Sequence, residues 1–189
     1  MVSADDVIEI LDALDAAAVA VWIDGGWGVD ALLERVRRNH DDLDAAVAFE
    51  NLPRAKAALA PLGFARDESQ SEWFPARFVL RDTGGRQIDL HPLHFDAGGN
   101  GVQRMPGWLD APEGVYPAKG LSGRGKIGGR HVRCLTPEMQ LAHHDHANPD
   151  DVDYDDVTAL CDRFGLVAPP EYARRPGWVD ERRSIESRL

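Results

Sequence analysis

Apolar residues Val7, Ile8, Ile10, Leu11 and Leu14 recur at helical spacing behind Ser3, Asp5 and Asp6. That pattern predicts an amphipathic helix, N-capped by Ser3, that runs to the Ala16-Ala17-Ala18 stretch. A short apolar run, Val19 to Ile23, predicts a buried strand, Trp27 to Leu33 a helix, and Asp42 to Phe49 a second strand. Asn51-Leu52-Pro53 opens a further helix with proline in its first turn, ending by Pro61-Leu62-Gly63. Phe78-Val79-Leu80 and Gln87-Ile88-Asp89-Leu90 flank Asp82-Thr83-Gly84-Gly85, a hairpin signal. Residues 96–129, rich in Gly and Pro, are expected to wrap the core as loops with short strands. Thr136-Pro137-Glu138 opens a helix in a capping pattern, and Tyr154 to Phe164 reads as another that Gly165 terminates. Helix, strand, helix, strand, helix and then antiparallel strands make an α+β order rather than repeating βαβ units. The division expected is a core over 1–130 and a helical region over 131–189 packed on it.

Charge interrupts the pattern where burial is expected. Asp42 and Asp44 stand two apart at the head of the second predicted strand, so period-2 geometry puts both carboxylates on one face, a few Å apart. Like charges that close repel, and a cation between them removes the cost. Oxygen ligands of this kind suit Mg²⁺, which keeps several waters and takes its other ligands from substrate phosphates. Asp89, in a second strand-like run, is placed to face the pair from a neighbouring strand. The apolar run into Gly25-Gly26 reads as a strand entering a tight turn and a helix N-terminus, whose free N–H groups suit a phosphate. Arg37 and Arg38 precede the pair and Arg77 precedes Asp89, all candidates for holding phosphate. His91 shares a face with Asp89 and is a candidate substrate contact, whereas His40 is assigned to shaping the turn ahead of Asp42. Trp27 and Trp73 are expected in the core.

Several longer blocks carry a resemblance. Trp22-Ile23-Asp24-Gly25-Gly26-Trp27-Gly28-Val29-Asp30, Trp73-Phe74-Pro75-Ala76-Arg77 and Asp89-Leu90-His91-Pro92 resemble stretches of the small lincosamide-modifying enzymes. With the glycine pair and the downstream Asp42-Leu43-Asp44, the chain resembles the antibiotic nucleotidyltransferases of the polymerase-β-like superfamily, from about Val21 to Ala159 and more thinly after Asp96. Many members of that superfamily carry Ser after the first glycine, where this chain has Gly26. The resemblance implies a polymerase-β-like core, a mixed small sheet with flanking helices, followed by a small C-terminal helical region. It also implies transfer of AMP from ATP to a hydroxyl of a small cationic antibiotic. Asp42 and Asp44 would hold one Mg²⁺ on the triphosphate. Asp89 would join a second Mg²⁺ and take the hydroxyl proton. The blocks lean toward a lincosamide acceptor. An aminoglycoside, or a protein modified within a toxin–antitoxin pair, stands as the alternative.

Composition narrows the classes. A formal net charge of −11 over 189 residues disfavours a general grip on nucleic acid and suits a cationic small molecule. The chain lacks an apolar run that would span a bilayer and a signal-peptide pattern, so a cytoplasmic protein is expected. Oligomeric state, monomer or homodimer, is left open. Cys134 and Cys161 form no metal spacing and read as buried thiols. Gly26-x-Gly28-x-x-Ala31 imitates a dinucleotide fingerprint, but a central parallel strand of that fold does not begin Asp42-Leu43-Asp44. Gly120-x-x-x-x-Gly125-Lys126 imitates a phosphate loop, with Ile127 where Ser or Thr belongs. His143 and His146 share a helical face but lack the glutamate and third ligand of a zinc motif. The segment between Arg133 and Arg163 holds no Lys or Arg while Asp recurs. It reads equally as a solvated helix start and as an anionic rim for an amine-bearing substrate, with Asp145 a candidate contact.

Overall fold

The computed structural model describes residues 1–144 and 148–172. Helix α1 (Ala4–Ala16) starts at Ser3, whose hydroxyl and backbone exchange hydrogen bonds with Asp6 in a capping box. Strand β1 (Val21–Ile23) leads directly into α2 (Gly25–Leu33), and β2 (Asp42–Ala48) leads through a single 3₁₀ turn into α3 (Leu52–Leu59). β3 (Ala65–Arg66), β4 (Phe78–Arg81) and β5 (Gln87–Phe95) follow, then β6 (Gly101–Gln103) and β7 (Gly114–Tyr116). Next come a hairpin of β8 (Gly123–Ile127) and β9 (Arg130–Cys134), then α4 (Pro137–His143) and α5 (Asp151–Phe164).

The nine strands among the described residues form one mixed sheet, ordered β3-β4-β5-β2-β1-β9-β8, with β6 beside β5 and β7 beside β6. Strands β1 and β2 are antiparallel, which is incompatible with the parallel βαβ of a dinucleotide-binding unit. The phosphate-loop imitation falls across a 3₁₀ turn and β8. There Gly123 and Gly125 allow close approach, since a Cβ on either would strike the backbone of Leu135 or of Ala31. β9 carries the sheet through Cys134, so the helices of the C-terminal region begin only at Pro137.

Alternation along the strands sorts the two faces. Ile23, Leu43, Ala45, Val47, Ile88 and Leu90 pack with residues of α1, α2 and α3 in the main core, whereas Ala46 and Leu93 belong to a second cluster with Tyr116, Leu121 and Leu135. A third cluster, Leu141, Val157, Cys161 and Tyr172, joins α4 to α5. Both cysteines are buried, and so is Trp27. Trp73 departs from its expected core position. It sits half-buried on a 3₁₀ turn, edge-on to Trp108 at 5.0 Å, because that turn lies outside the sheet's packed faces.

Helix α5 begins three residues before the expected Tyr154. Asp150 caps it by accepting from the amides of Val152 and Asp153, and Asp153 returns the bond to the Asp150 amide. Part of the acidic run is therefore the helix's first turn, where carboxylates meet free N–H groups.

Candidate active site

Strand β5 runs parallel to β2, with Asp44 opposite Asp89, Asp42 opposite Gln87 and Ala46 opposite His91. This register sets Asp44 and Asp89 side by side on one face. Ligand atoms of Asp44, Asp89 and His91 all lie within 4.8 Å of one another. Asp42 stands at the edge of this group and accepts a hydrogen bond from Gln87 Nε2 at 3.1 Å. Asp89 is 1% exposed. Arg77, just before β4, donates to its Oδ2, while its buried Oδ1 has no hydrogen-bond partner. A shielded carboxylate oxygen without a donor is costly alone and suited to a cation. By that test the donor set fits a divalent metal.

The turn from β1 into α2 closes the other side. Gly25 has φ +56°, and a Cβ there would lie 2.5 Å from Asp44 Oδ2, so both backbone and space call for glycine. A Cβ at Gly26 would overlap the Arg38 guanidinium and crowd His40, which explains why a serine has no room at this position. Asp24, which sequence reasoning passed over, holds the turn together. Its carboxylate accepts from the Gly25 amide at 2.7 Å and from His143 Nδ1 at 3.0 Å, and its own amide donates to the Asp44 carbonyl at 2.9 Å. His91 stands between the two carboxylates, with Nδ1 3.5 Å from Asp24 and Nε2 3.7 Å from Asp44. An Asp directly before a glycine-led helix is an N-cap signal, so Asp24 was legible as a cap. His143 was not legible as its partner, since the two are 119 residues apart. These side chains, with Tyr116, His144, Gln103 and Asp153, line an open cleft of about 450 Å³.

Electrostatics follow from this crowding. Burial pushes the Asp44 carboxyl up to about 7, and the carboxylates of Asp42, Asp89 and Asp24 add to it against the opposing pull of His91. Asp42 is raised by burial and by Asp89. Burial alone would lower His91, but Asp24, Asp44 and Asp89 outweigh it and lift the imidazole to about 9. Burial would raise Asp24, yet His143 and His91 hold it below the carboxylate range. The site is thus a nest of carboxylates partly neutralised by an imidazolium and by Arg77, an arrangement primed for cations.

Arg38 lies against Gly26, but its Nη2 donates to Asp156 of α5 at 3.1 Å, and Arg37 binds both Asp30 and Asp156. His40 is buried, stacks on Trp27 at 4.4 Å and meets Asp30 at 2.7 Å, fixing the segment ahead of Asp42. Asp145 and His146 lie outside the described residues.

Comparison with known proteins places this geometry. The family model of aminoglycoside-2''-adenylyltransferases matches residues 6–160. A lincosamide resistance protein of Staphylococcus haemolyticus is 26% identical over 159 residues, 84% of this chain and 94% of its own length. A 2''-aminoglycoside nucleotidyltransferase of Klebsiella pneumoniae is 32% identical over 126 residues, spanning 67% of this chain and 63% of the relative. Among solved structures, the lincomycin-bound lincosamide antibiotic adenylyltransferase LnuA aligns with a TM-score of 0.72 at 26% identity, over 84% of this chain and 96% of its own. ANT(2")-Ia in complex with adenylyl-2"-tobramycin shares the fold with a TM-score of 0.64 at 24% identity, over 86% and 89% of the two chains. The chain is therefore a nucleotidyltransferase enzyme and belongs to the aminoglycoside-2''-adenylyltransferase family.

Proposed function

We propose that this protein transfers AMP from ATP to a hydroxyl of a small cationic antibiotic, a lincosamide, and releases pyrophosphate. The observation that carries the reading is the pairing of Asp44 with Asp89 across β2 and β5, beside the Gly25-Gly26 turn. Asp42, Asp44 and Asp89 would hold Mg²⁺, two ions in all. When bound, Mg²⁺ supplies charge neutralisation for the triphosphate and the departing pyrophosphate.

The chain's own residues divide the remaining work. The Gly25-Gly26 turn and the α2 N-terminus offer backbone N–H groups to the phosphates, with Arg38 and Arg77 as side-chain partners. Asp89 takes the proton from the acceptor hydroxyl as its oxygen attacks the α-phosphorus and the bond to pyrophosphate breaks. The cleft between β2, β7 and α4 receives the acceptor, with His91, His143 and Asp153 on its wall. A lincosamide is favoured because the lincosamide relative is matched over 94% of its length. The family model and the 32% identical relative favour an aminoglycoside as the second reading.

The test is purified full-length protein with ATP and Mg²⁺ against a panel of lincosamides and aminoglycosides, read by mass spectrometry for one added AMP. Modification of a lincosamide supports the reading. Adenylylation of a protein and of no drug, or turnover that survives excess EDTA, overturns it.

A further inference from the structure

We infer that His91 is a metal ligand, so that the cation site is a mixed nitrogen and oxygen set of Asp44, Asp89 and His91 that takes Mn²⁺ or a similar first-row divalent ion more tightly than carboxylates alone would. The inference shares with the proposed function only the premise that the carboxylate cluster binds a cation.

Three observations carry it. First, one ligand atom from each of Asp44, Asp89 and His91 falls within a common spread of 4.8 Å. Ligands about 2.1 Å from one octahedral ion stand roughly 3–4.2 Å apart, so small side-chain rotations close the cluster on an ion. Second, buried Asp89 Oδ1 has no hydrogen-bond partner although its other oxygen is held by Arg77. An atom so shielded points to a ligand that has to arrive without water. Third, the imidazole is turned as a ligating histidine is turned. Nε2 lies 3.7 Å from Asp44 Oδ1, and Nδ1, buried and without a hydrogen bond, lies 3.5 Å from Asp24 Oδ2. Metal-bound histidines commonly present their other ring nitrogen to a carboxylate, which fixes the ring and raises its basicity, and the arriving ion displaces the Nε2 proton of the imidazolium to solvent. Asp24 is itself fixed by Gly25 and His143, so it serves His91 as a positioning residue.

His143 does not compete for the role, because among the described residues the ligand atoms that gather with those of Asp44 and Asp89 are those of His91. The consequence is selectivity. Imidazole suits transition ions better than it suits Mg²⁺, which is held by oxygen. His91 therefore adds affinity for Mn²⁺ and little for Mg²⁺.

The experiment uses the full chain with Mn²⁺ alone, without nucleotide, and reads ¹⁴N coupling to the bound ion by pulsed electron paramagnetic resonance. Nitrogen coupling is expected in the wild type and in His143→Gln, and absent in His91→Gln. Calorimetric titration should show Mn²⁺ affinity falling about tenfold or more in His91→Gln, the scale of losing a supported ligand, with Mg²⁺ affinity changing much less. His91→Asp, which keeps a ligand but removes the nitrogen, should bind Mn²⁺ without ¹⁴N coupling. A wild-type spectrum with oxygen ligands only, coupling that survives in His91→Gln, or no Mn²⁺ binding at all overturns the assignment. AMP transfer with Mg²⁺ is measured separately. Transfer alongside an oxygen-only Mn²⁺ spectrum refutes the ligand and leaves the proposed function, whereas nitrogen-coupled Mn²⁺ without transfer to any acceptor does the reverse.

Discussion

Asp156 offers a quantitative test of how the C-terminal helices are held to the sheet. It is 1% exposed on α5 and receives both Arg37 and Arg38 from the segment ahead of β2, with His144 Nε2 3.8 Å away. Replacing it with Ala leaves two guanidinium groups without their shared carboxylate. Breaking a buried pair from one side costs about 3–5 kcal/mol. Arg37 retains Asp30, and Arg38, 31% exposed, can be hydrated, so the lower bound of about 3 kcal/mol applies. For a chain of this length each kcal/mol lowers the melting temperature by about 2–4 °C, giving a loss of about 6–12 °C at pH 7.

The pH dependence has a fixed sign. Burial would raise the Asp156 carboxyl, but His144, Arg38 and Arg37 hold it down at about 2, below the unfolded value near 3.9. A depressed folded value means the stabilisation is complete above the unfolded value and disappears as pH falls through the folded one. Differential scanning calorimetry of wild type and Asp156→Ala should therefore show a gap that is constant near neutrality and narrows between about pH 4 and pH 2. A melting temperature within about 2 °C of wild type at pH 7 refutes the clamp. A gap that stays constant through the acid range refutes its electrostatic origin.

Three further outcomes are expected. Gly25→Ala places a left-handed Ala against Asp44. It should cost about 1–2 kcal/mol by chemical denaturation and about 10²-fold in kcat through the displaced carboxylate, and a fully active variant would show that the turn does not position the site. Asp89→Asn should lower kcat by about 10²–10⁴-fold while nucleotide binding, followed by calorimetry with Mg²⁺, persists. Asp44→Asn should lose most turnover, and wild-type turnover should vanish in EDTA and return with added divalent ion.

Much of this was legible because it is local. Ser3, Thr136 and the glycines at 63 and 165 mark helix ends through side chains or φ values that act within a turn. The alternation Asp42-Leu43-Asp44 gave the face of both carboxylates, and the hairpin at Asp82-Thr83-Gly84-Gly85 gave β4 and β5. What the sequence hid is pairing at long range. Nothing local marks β2 and β5 as parallel partners, and Asp24 meets His143 only once α4 has docked. The β8–β9 hairpin lies behind a Gly-rich strand, β8, whose glycines serve close backbone packing and leave no apolar alternation to read. The Asp156 partner of Arg37 and Arg38 was hidden in the same way, because a charge cannot reveal a carboxylate so distant in sequence.

The parallel ladder between β2 and β5 makes the site tolerant of one kind of change and intolerant of another. Two carboxylates from separate stretches of chain are brought together by backbone hydrogen bonds that count residues, not by the length of what connects them. Insertions between α3 and β4 add loop and leave the alignment untouched. Deleting one residue inside β5 ahead of Asp89 shifts the strand by a step, and every later side chain changes sides. Asp89 would then point among the helices, and Leu90 would take its place beside Asp44. Evolution can thus remodel the surroundings of this cleft by length while its chemistry is inherited as a count.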